Sequence, residues 1–154
     1  MRLLCDAMLA RLARWLRAAG YDTELRSEGT DHDLIECCRA EERVLVTRDR
    51  HLARYAGAGS RTVLLVAETV DAQARSLAQT LDIDWMLDPF SRCLVDNVPL
   101  QPASNEDRTR LPERARGLAG PFRVCPHCGR LYWPGSHVRR MQRQLEHWRD
   151  VSTE

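Results

Sequence analysis

Apolar residues fall in short blocks along the first half of the chain, and the blocks alternate between strand spacing and helix spacing. Compact apolar runs typical of strands occupy 2–5, 44–47 and 62–66, and a further short strand is expected over 21–25. Helical spacing covers 9–19, about 31–42, 52–56 and 71–81. In the first of these segments Leu9, Leu12 and Leu16 fall on one helical face, and Gly20 supplies a stop. Strands alternating with helices predict a parallel sheet in an α/β domain.

The pattern changes near Asp88 and Pro89, where periodicity fades and prolines become frequent. A final amphipathic helix is predicted over 136–149, with Met141, Leu145 and Trp148 on one face. We therefore expect one domain over 1–88 and a second module over 89–154.

Charge changes at the same boundary. The 154 residues carry a formal net charge of +1, and all 23 basic residues counted as Lys+Arg are Arg. The absence of Lys excludes Schiff-base chemistry, a Walker A phosphate loop and a protein-kinase site. Residues 1–88 hold 12 Arg against 15 Asp and Glu, whereas residues 89–154 hold 11 against 7. The near-neutral total thus combines an acidic segment, which suits metal ions, with a basic segment, which suits an anionic partner such as a nucleic acid.

The chain has neither a signal-peptide core nor an apolar run of about 20 residues that would span a membrane. We therefore expect a cytoplasmic protein without a membrane partner, and the sequence leaves any protein partner unknown.

Aspartates follow two of the predicted strands. Asp6 comes directly after 2–5, Asp49 follows 44–47, and Asp31 and Asp33 begin the helix between them. If the two strands are neighbours, these carboxylates share the crevice at the carboxyl ends of the sheet. Clustered carboxylates repel one another unless cations balance them, and oxygen ligands favour Mg²⁺ or Mn²⁺. The alternative reading is that each aspartate only caps the helix that follows it.

The cysteines of the second module suggest a structural zinc site. Cys125 and Cys128 form a C-x-x-C turn, Cys93 is the third candidate ligand, and Asp96 occupies the position where a second pair would be completed. His127 and His137 compete with Asp96 for the fourth place. A redox C-x-x-C is the rival function, although its usual βαβ context is missing.

Several of these motifs resemble the Mut-seven C-terminal RNase family, in the same order along nearly the whole chain. They are the opening block 5–17 (CDAMLARLARWLR), 46–49 (VTRD), 92–93 (RC) and 125–137 (CPHCGRLYWPGSH). The resemblance implies a PIN-like nuclease domain joined to a C-terminal zinc ribbon. It also implies a metal-dependent ribonuclease in which Asp6, Asp31 and Asp49 match the acidic positions, with Asp33 as the alternative to Asp31. Asp96 departs from the family's usual cysteine.

Exposed arginines are the candidate RNA contacts. Arg11, Arg14 and Arg17 recur at three-residue spacing beside Asp6, Arg139 and Arg140 begin the last helix, and Arg48 lies next to Asp49. The alternative for such stripes is an ordinary solvated helix face. Tyr132 and Trp133 either stack on bases or form part of the module's core.

The leading hypothesis is therefore a Mg²⁺- or Mn²⁺-dependent ribonuclease that cleaves RNA phosphodiester bonds, with the zinc ribbon assisting RNA binding. One alternative is a non-catalytic RNA-binding protein that keeps a degenerate PIN-like domain. Another is a toxin-type PIN nuclease.

Overall fold

A four-stranded parallel sheet organises the first half of the computed structural model, which describes residues 1–152 apart from the side chain of Ala58. The elements of this half are β1 (Arg2–Asp6), α1 (Ala10–Ala18), β2 (Asp22–Arg26), α2 (Asp31–Ala40), β3 (Val44–Thr47), α3 (Arg50–Ala56), β4 (Thr62–Leu64) and α4 (Val70–Leu81). The strand order is β2-β1-β3-β4, and every neighbouring pair is parallel. The predicted alternation of strand and helix in a parallel α/β sheet is confirmed.

The second half contains short elements that periodicity does not reveal. They are β5 (Gln101–Pro102), α5 (Asn105–Thr109), α6 (Glu113–Arg116), β6 (Arg123–Val124), β7 (Leu131–Tyr132) and the long α7 (Ser136–Ser152). Strands β5, β6 and β7 form an antiparallel sheet in that order. Two-residue strands are too short to produce an alternating pattern, so the sequence predicts only α7 among these six elements.

Alternation along β1 sends side chains to two separate cores. Leu3 and Cys5 pack on the face covered by α1, α4 and α7, whereas Leu4 packs with α2 and α3 on the other face. In β3, Val46 joins the first core and Leu45 the second. Both faces of the sheet are therefore covered, as parallel sheets require.

The first core also contains residues from beyond position 88. Leu145 and Trp148 of α7 are buried in it, together with Trp85 and Leu94. Trp148 contacts both Trp15 and Trp85, at ring-centroid distances of 4.9 Å. The apolar face predicted for the last helix therefore packs onto the sheet domain, and the two predicted modules share one core. None of the helices in the described chain is both long and apolar enough for a membrane span.

Candidate functional site

Asp6 lies at the carboxyl end of β1, a strand in the middle of the sheet, and is 8% exposed. One carboxylate oxygen accepts a hydrogen bond from the backbone N–H of Met8 at 3.0 Å. The other accepts from the hydroxyl of Thr47 and, at 3.3 Å, from the backbone N–H of Arg48. Asp6 therefore caps the 3-10 turn Ala7–Leu9 and also joins β1 to the end of β3.

Thr47 connects Asp6 to Asp49. Its hydroxyl donates to Asp6 and accepts from the backbone N–H of Asp49 at 2.9 Å. The Asp49 carboxylate in turn caps α3, accepting from the N–H groups of His51 at 2.7 Å and Leu52 at 3.2 Å. Sequence reasoning missed the role of Thr47, whose only signal is its place at the end of a buried strand, two residues before Asp49.

Asp31 and Asp33 both lie in the first turn of α2 but have different partners. Asp33 forms a capping box with Thr30, accepting from its backbone N–H at 2.9 Å and its hydroxyl at 2.7 Å. These hydrogen bonds lower the pKa of Asp33. Nδ1 of His51 lies 3.7 Å from a carboxylate oxygen of the half-exposed Asp31. Asp31 is therefore freer than Asp33 to bind a ligand, and His51 is a neighbour that the sequence does not single out.

The acidic residues gather along one edge of the sheet without closing on a single point. Within the described chain, Asp6, Asp31 and Asp49 are not among the groups of three or more potential ligands whose atoms all lie within 4.8 Å. Capping, the simpler reading of each aspartate, accounts for the hydrogen bonds of Asp33 and Asp49, but of those of Asp6 only for the bond from Met8. Each carboxylate still has lone pairs beyond those used in capping.

Three cysteines and one aspartate form a group whose potential ligand atoms all lie close together. The ligand atoms of Cys93, Asp96, Cys125 and Cys128 lie within 4.8 Å of one another. The sulfur atoms of Cys93 and Cys128 are 3.8 Å apart. Oδ2 of Asp96 lies 3.5 Å from the sulfur of Cys93 and 3.4 Å from that of Cys125.

These separations match a tetrahedral metal site. Zinc–sulfur bonds of about 2.3 Å place two thiolates about 3.8 Å apart, and a zinc–oxygen bond of about 2.0 Å places the oxygen about 3.5 Å from each sulfur. The cluster can therefore hold a metal ion such as zinc. Asp96 belongs to the group, and neither His127 nor His137 does.

Hydrogen bonds within the cluster shift the pKa values of its members. A hydrogen bond with Asp96 raises the pKa of Cys128 to about 12 and at the same time lowers the pKa of Asp96. Burial opposes ionisation of Cys93, but hydrogen bonds from the Tyr132 hydroxyl and from backbone N–H groups bring its pKa below the usual value. Metal binding would displace the thiol protons, so it would release protons to solvent.

Residues around the cluster attach it to the sheet domain. The Tyr132 hydroxyl lies 3.3 Å from the sulfur of Cys93 and accepts the backbone N–H of Leu94 at 2.9 Å. The side-chain oxygen of Asn97 accepts a hydrogen bond from the backbone N–H of Thr23 at 2.9 Å, near the beginning of the edge strand β2. Tyr132 is thus a supporting residue of the cluster. Asn97 is a contact that no sequence motif indicates.

The three arginines of the predicted stripe on α1 differ in exposure. Arg11 and Arg14 are exposed, but Arg17 is 7% exposed. Its guanidinium donates to the carbonyl oxygens of Thr23 at 2.8 Å, Leu94 at 3.1 Å and Val95 at 2.8 Å. The placement of Arg17 in the RNA-contacting stripe is therefore corrected, because these internal bonds hold it away from solvent.

The remaining candidate arginines differ in exposure. Arg139 and Arg140 are exposed on the first turns of α7. Arg48 is half-buried, and its Nε atom is buried without a hydrogen-bond partner among the described residues.

Comparison with known proteins gives one family match. Searches of curated proteins and of solved structures found no significant match. The family model described as the Mut7-C RNAse domain matches residues 1–145, which include both the acidic edge and the cysteine cluster. The match covers well over half of the chain and agrees with the resemblance carried by the sequence motifs. The chain belongs to the Mut7-C RNAse domain family.

Proposed function

We propose that this protein is a Mg²⁺- or Mn²⁺-dependent ribonuclease that hydrolyses RNA phosphodiester bonds at the acidic edge of its sheet. The observation that carries the proposal is the chain of contacts from Asp6 through Thr47 to Asp49, at the carboxyl ends of two adjacent parallel strands. Ligand sites of open α/β sheets lie at this edge. The family match supplies the reaction class, and the parallel sheet with its acidic edge supports a PIN-like assignment.

The spacing of the carboxylates favours more than one bound ion. A single ion needs ligands within about 2.0–2.2 Å of one centre, which Asp6, Asp31 and Asp49 do not offer together. A pair of ions about 4 Å apart can engage carboxylates that are farther from one another. In this arrangement Asp6, Asp49 and Asp31 would hold the metal ions. Asp33 is the alternative to Asp31, but its carboxylate is already engaged in the capping box with Thr30. The metal would supply Lewis acidity and lower the pKa of bound water.

The cysteine cluster would contribute structure rather than chemistry. We assign it as a zinc ribbon held by Cys93, Asp96, Cys125 and Cys128. Thr23 and Asn97 attach it at the beginning of β2, whereas Asp6 pairs with the last residue of that strand. From Thr23 to Arg26 there are three residue steps, which correspond to about 10 Å along a strand. The ribbon is thus offset from the acidic edge, where it can bind RNA without touching the reacting phosphate.

The direct test is cleavage of end-labelled RNA by wild-type protein with and without Mn²⁺ or Mg²⁺. Asp6→Asn and Asp49→Asn should each lower the rate by at least about 100-fold, because each removes a charged metal ligand. Asp82→Asn is the matched control, since Asp82 is exposed and its φ of 53° suits asparagine. Cleavage that is equal in all four proteins, or that needs no divalent ion, would contradict the proposal.

RNA binding without turnover is the second candidate function. It is favoured by the capping bonds that already engage Asp6 and Asp49, and by their failure to meet at one point with Asp31. The same assay separates the two functions, because a binding protein leaves RNA intact at every metal concentration and binds it equally well with or without Mn²⁺.

A further inference from the structure

A cleft of about 610 Å³ lies between α1, the cysteine cluster and the start of α7. Its lining includes Leu94 and Val95, next to Cys93 in the chain, and residues of α6 and α7. The cleft is separate from the acidic edge, because none of Asp6, Asp31 and Asp49 lines it.

Positive charge dominates the polar part of the cleft. Four arginines from four parts of the chain line it: Arg14 on α1, Arg114 on α6, Arg130 before β7 and Arg139 on α7. All four are exposed, and the described lining contains neither Asp nor Glu. Four like charges converging on one concave surface repel one another in the free protein, so the arrangement suits an anionic occupant.

The same four guanidinium groups have no internal partner. Across residues 1–152, no side-chain hydrogen bond or ion pair engages Arg14, Arg114, Arg130 or Arg139. Other arginines of the second half are engaged: Arg110, for example, pairs with Asp107 at 2.9 Å, and Arg123 donates to the carbonyl of Phe90 at 2.7 Å. The donors of the cleft are therefore available for phosphate oxygens, which arginine binds in a bidentate manner.

An aromatic side chain lies among these charges. Trp133 is half-buried in the cleft lining and packs against the small core around Leu111 and Phe122. Its indole Nε1 lies where any side chain at position 135 would interfere, because a Cβ built on Gly135 comes within 2.7 Å of it. Gly135 thus leaves room for the indole beside this turn, where its ring can offer a surface for stacking. Since a base can stack on a protein side chain only when it is unpaired, Trp133 favours a single strand over a duplex.

We infer that this cleft binds single-stranded RNA, with Arg14, Arg114, Arg130 and Arg139 contacting the phosphates and Trp133 stacking on a base. The inference rests on the proposed ribonuclease function and names the class of RNA that it takes. The buried Arg17 maintains one wall, because it holds the carbonyl groups of Leu94 and Val95. The cleft is therefore a binding site beside the cysteine cluster, additional to the catalytic edge.

The test measures binding of a fluorescent single-stranded oligoribonucleotide by anisotropy, without added Mg²⁺ or Mn²⁺. The double variant Arg114→Gln/Arg130→Gln should bind about tenfold more weakly at about 0.1 M salt, and its slope of log K against log salt should fall by about 1.4. The matched control is Arg61→Gln/Arg75→Gln, which removes two exposed arginines outside the cleft and should bind like wild type. Trp133→Leu should weaken binding about tenfold, and Trp133→Phe should retain most of it.

Melting temperatures show whether each variant is folded. If the first pair fails to fold, Arg14→Gln/Arg139→Gln makes the same comparison from the other two arginines. Equal binding by the cleft variants and the control pair would overturn the inference, and so would duplex RNA that binds as tightly as the single strand. Loss of binding in the cleft variants of a protein that never cleaves RNA would support the cleft and overturn only the proposed ribonuclease.

Discussion

Arg17 illustrates how neighbouring residues of one type on a helix take different roles. It shares three-residue spacing with Arg11 and Arg14, but its side chain turns inward and satisfies carbonyl groups of β2 and of the loop after Cys93. Burial lowers its pKa, since desolvation disfavours the charged form, but a guanidinium stays protonated at any physiological pH. Sequence spacing does not distinguish the buried Arg17 from Arg11 and Arg14. The carbonyl groups that accept its hydrogen bonds belong to residues up to 78 positions away.

We predict that Arg17→Met destabilises the protein by about 3 kcal/mol, because it leaves buried carbonyl groups without their charged donor. Arg14→Met, an exposed control on the same helix, should change the free energy of unfolding by less than about 0.5 kcal/mol. Urea denaturation measures both values. Equal stability of the two variants would show that the internal bonds of Arg17 contribute nothing.

At the scale of single elements, the loop 93–96 supplies two of the four potential metal ligands, Cys93 and Asp96. C-x-x-C spacing identifies Cys125 and Cys128 directly, because both ligands belong to one turn. The sequence leaves the fourth ligand open, since His127 lies within the turn and His137 nine residues after it, whereas Asp96 lies 29 residues before it. Only the folded loop shows that the carboxylate oxygen lies 3.4 Å and 3.5 Å from two cysteine sulfurs.

We predict that the purified protein contains about one equivalent of zinc, and that Asp96→Ala loses it to a chelator at least about tenfold faster. Asp96→Cys should retain zinc more tightly than wild type, because thiolate is the softer ligand. Elemental analysis and release into a colorimetric chelator give the two readouts. The control is Glu106→Ala, an exposed acidic residue outside the cluster. Unchanged release from Asp96→Ala would remove Asp96 from the ligand set.

At the scale of the whole molecule, the two halves of the chain are joined by packing and by one polar network. The packing is the shared core of α1, α4 and α7. The network centres on Asp22 at the start of β2, which accepts from Arg43 and Asn97, both at 2.7 Å, and from Arg2 at 3.1 Å. Despite partial burial, these bonds lower the pKa of Asp22 to about 2.

This shift gives stability a defined pH dependence. A carboxyl group whose pKa falls from 3.8 to about 2 on folding stabilises the native state above about pH 4. The contribution, about 2 kcal/mol, is lost as the pH falls from about 4 through 2. We predict that Asp22→Asn is less stable than wild type by about this amount at pH 7, and that the difference shrinks below pH 4. Asp82→Asn should follow wild type throughout in urea titrations, and a constant difference for Asp22→Asn would contradict the assignment.

The elements of the sheet domain follow from local patterns. Alternation along β1 and β3, the threonine cap before α2 and the apolar face of α7 all depend on residues a few positions apart, so the chain sequence contains the information. The same is true of the C-x-x-C turn and of the aspartates that end the strands. The three strands of the second half cannot be predicted from local patterns. Each is only two residues long and so has no periodicity, and their pairing partners lie up to 23 positions away along the chain.

The candidate site residues are thus recognisable from their types and local spacing, together with the family that the chain belongs to. The tertiary structure decided which residues meet, including some that the sequence does not single out: Asp96 with the cysteines, Thr47 between Asp6 and Asp49, Arg17 inside, and Arg114 with Arg130 in a cleft. The physical reason is that a periodic pattern fixes the face on which a side chain lies. The neighbours across a sheet edge or a cleft depend instead on how separate elements pack.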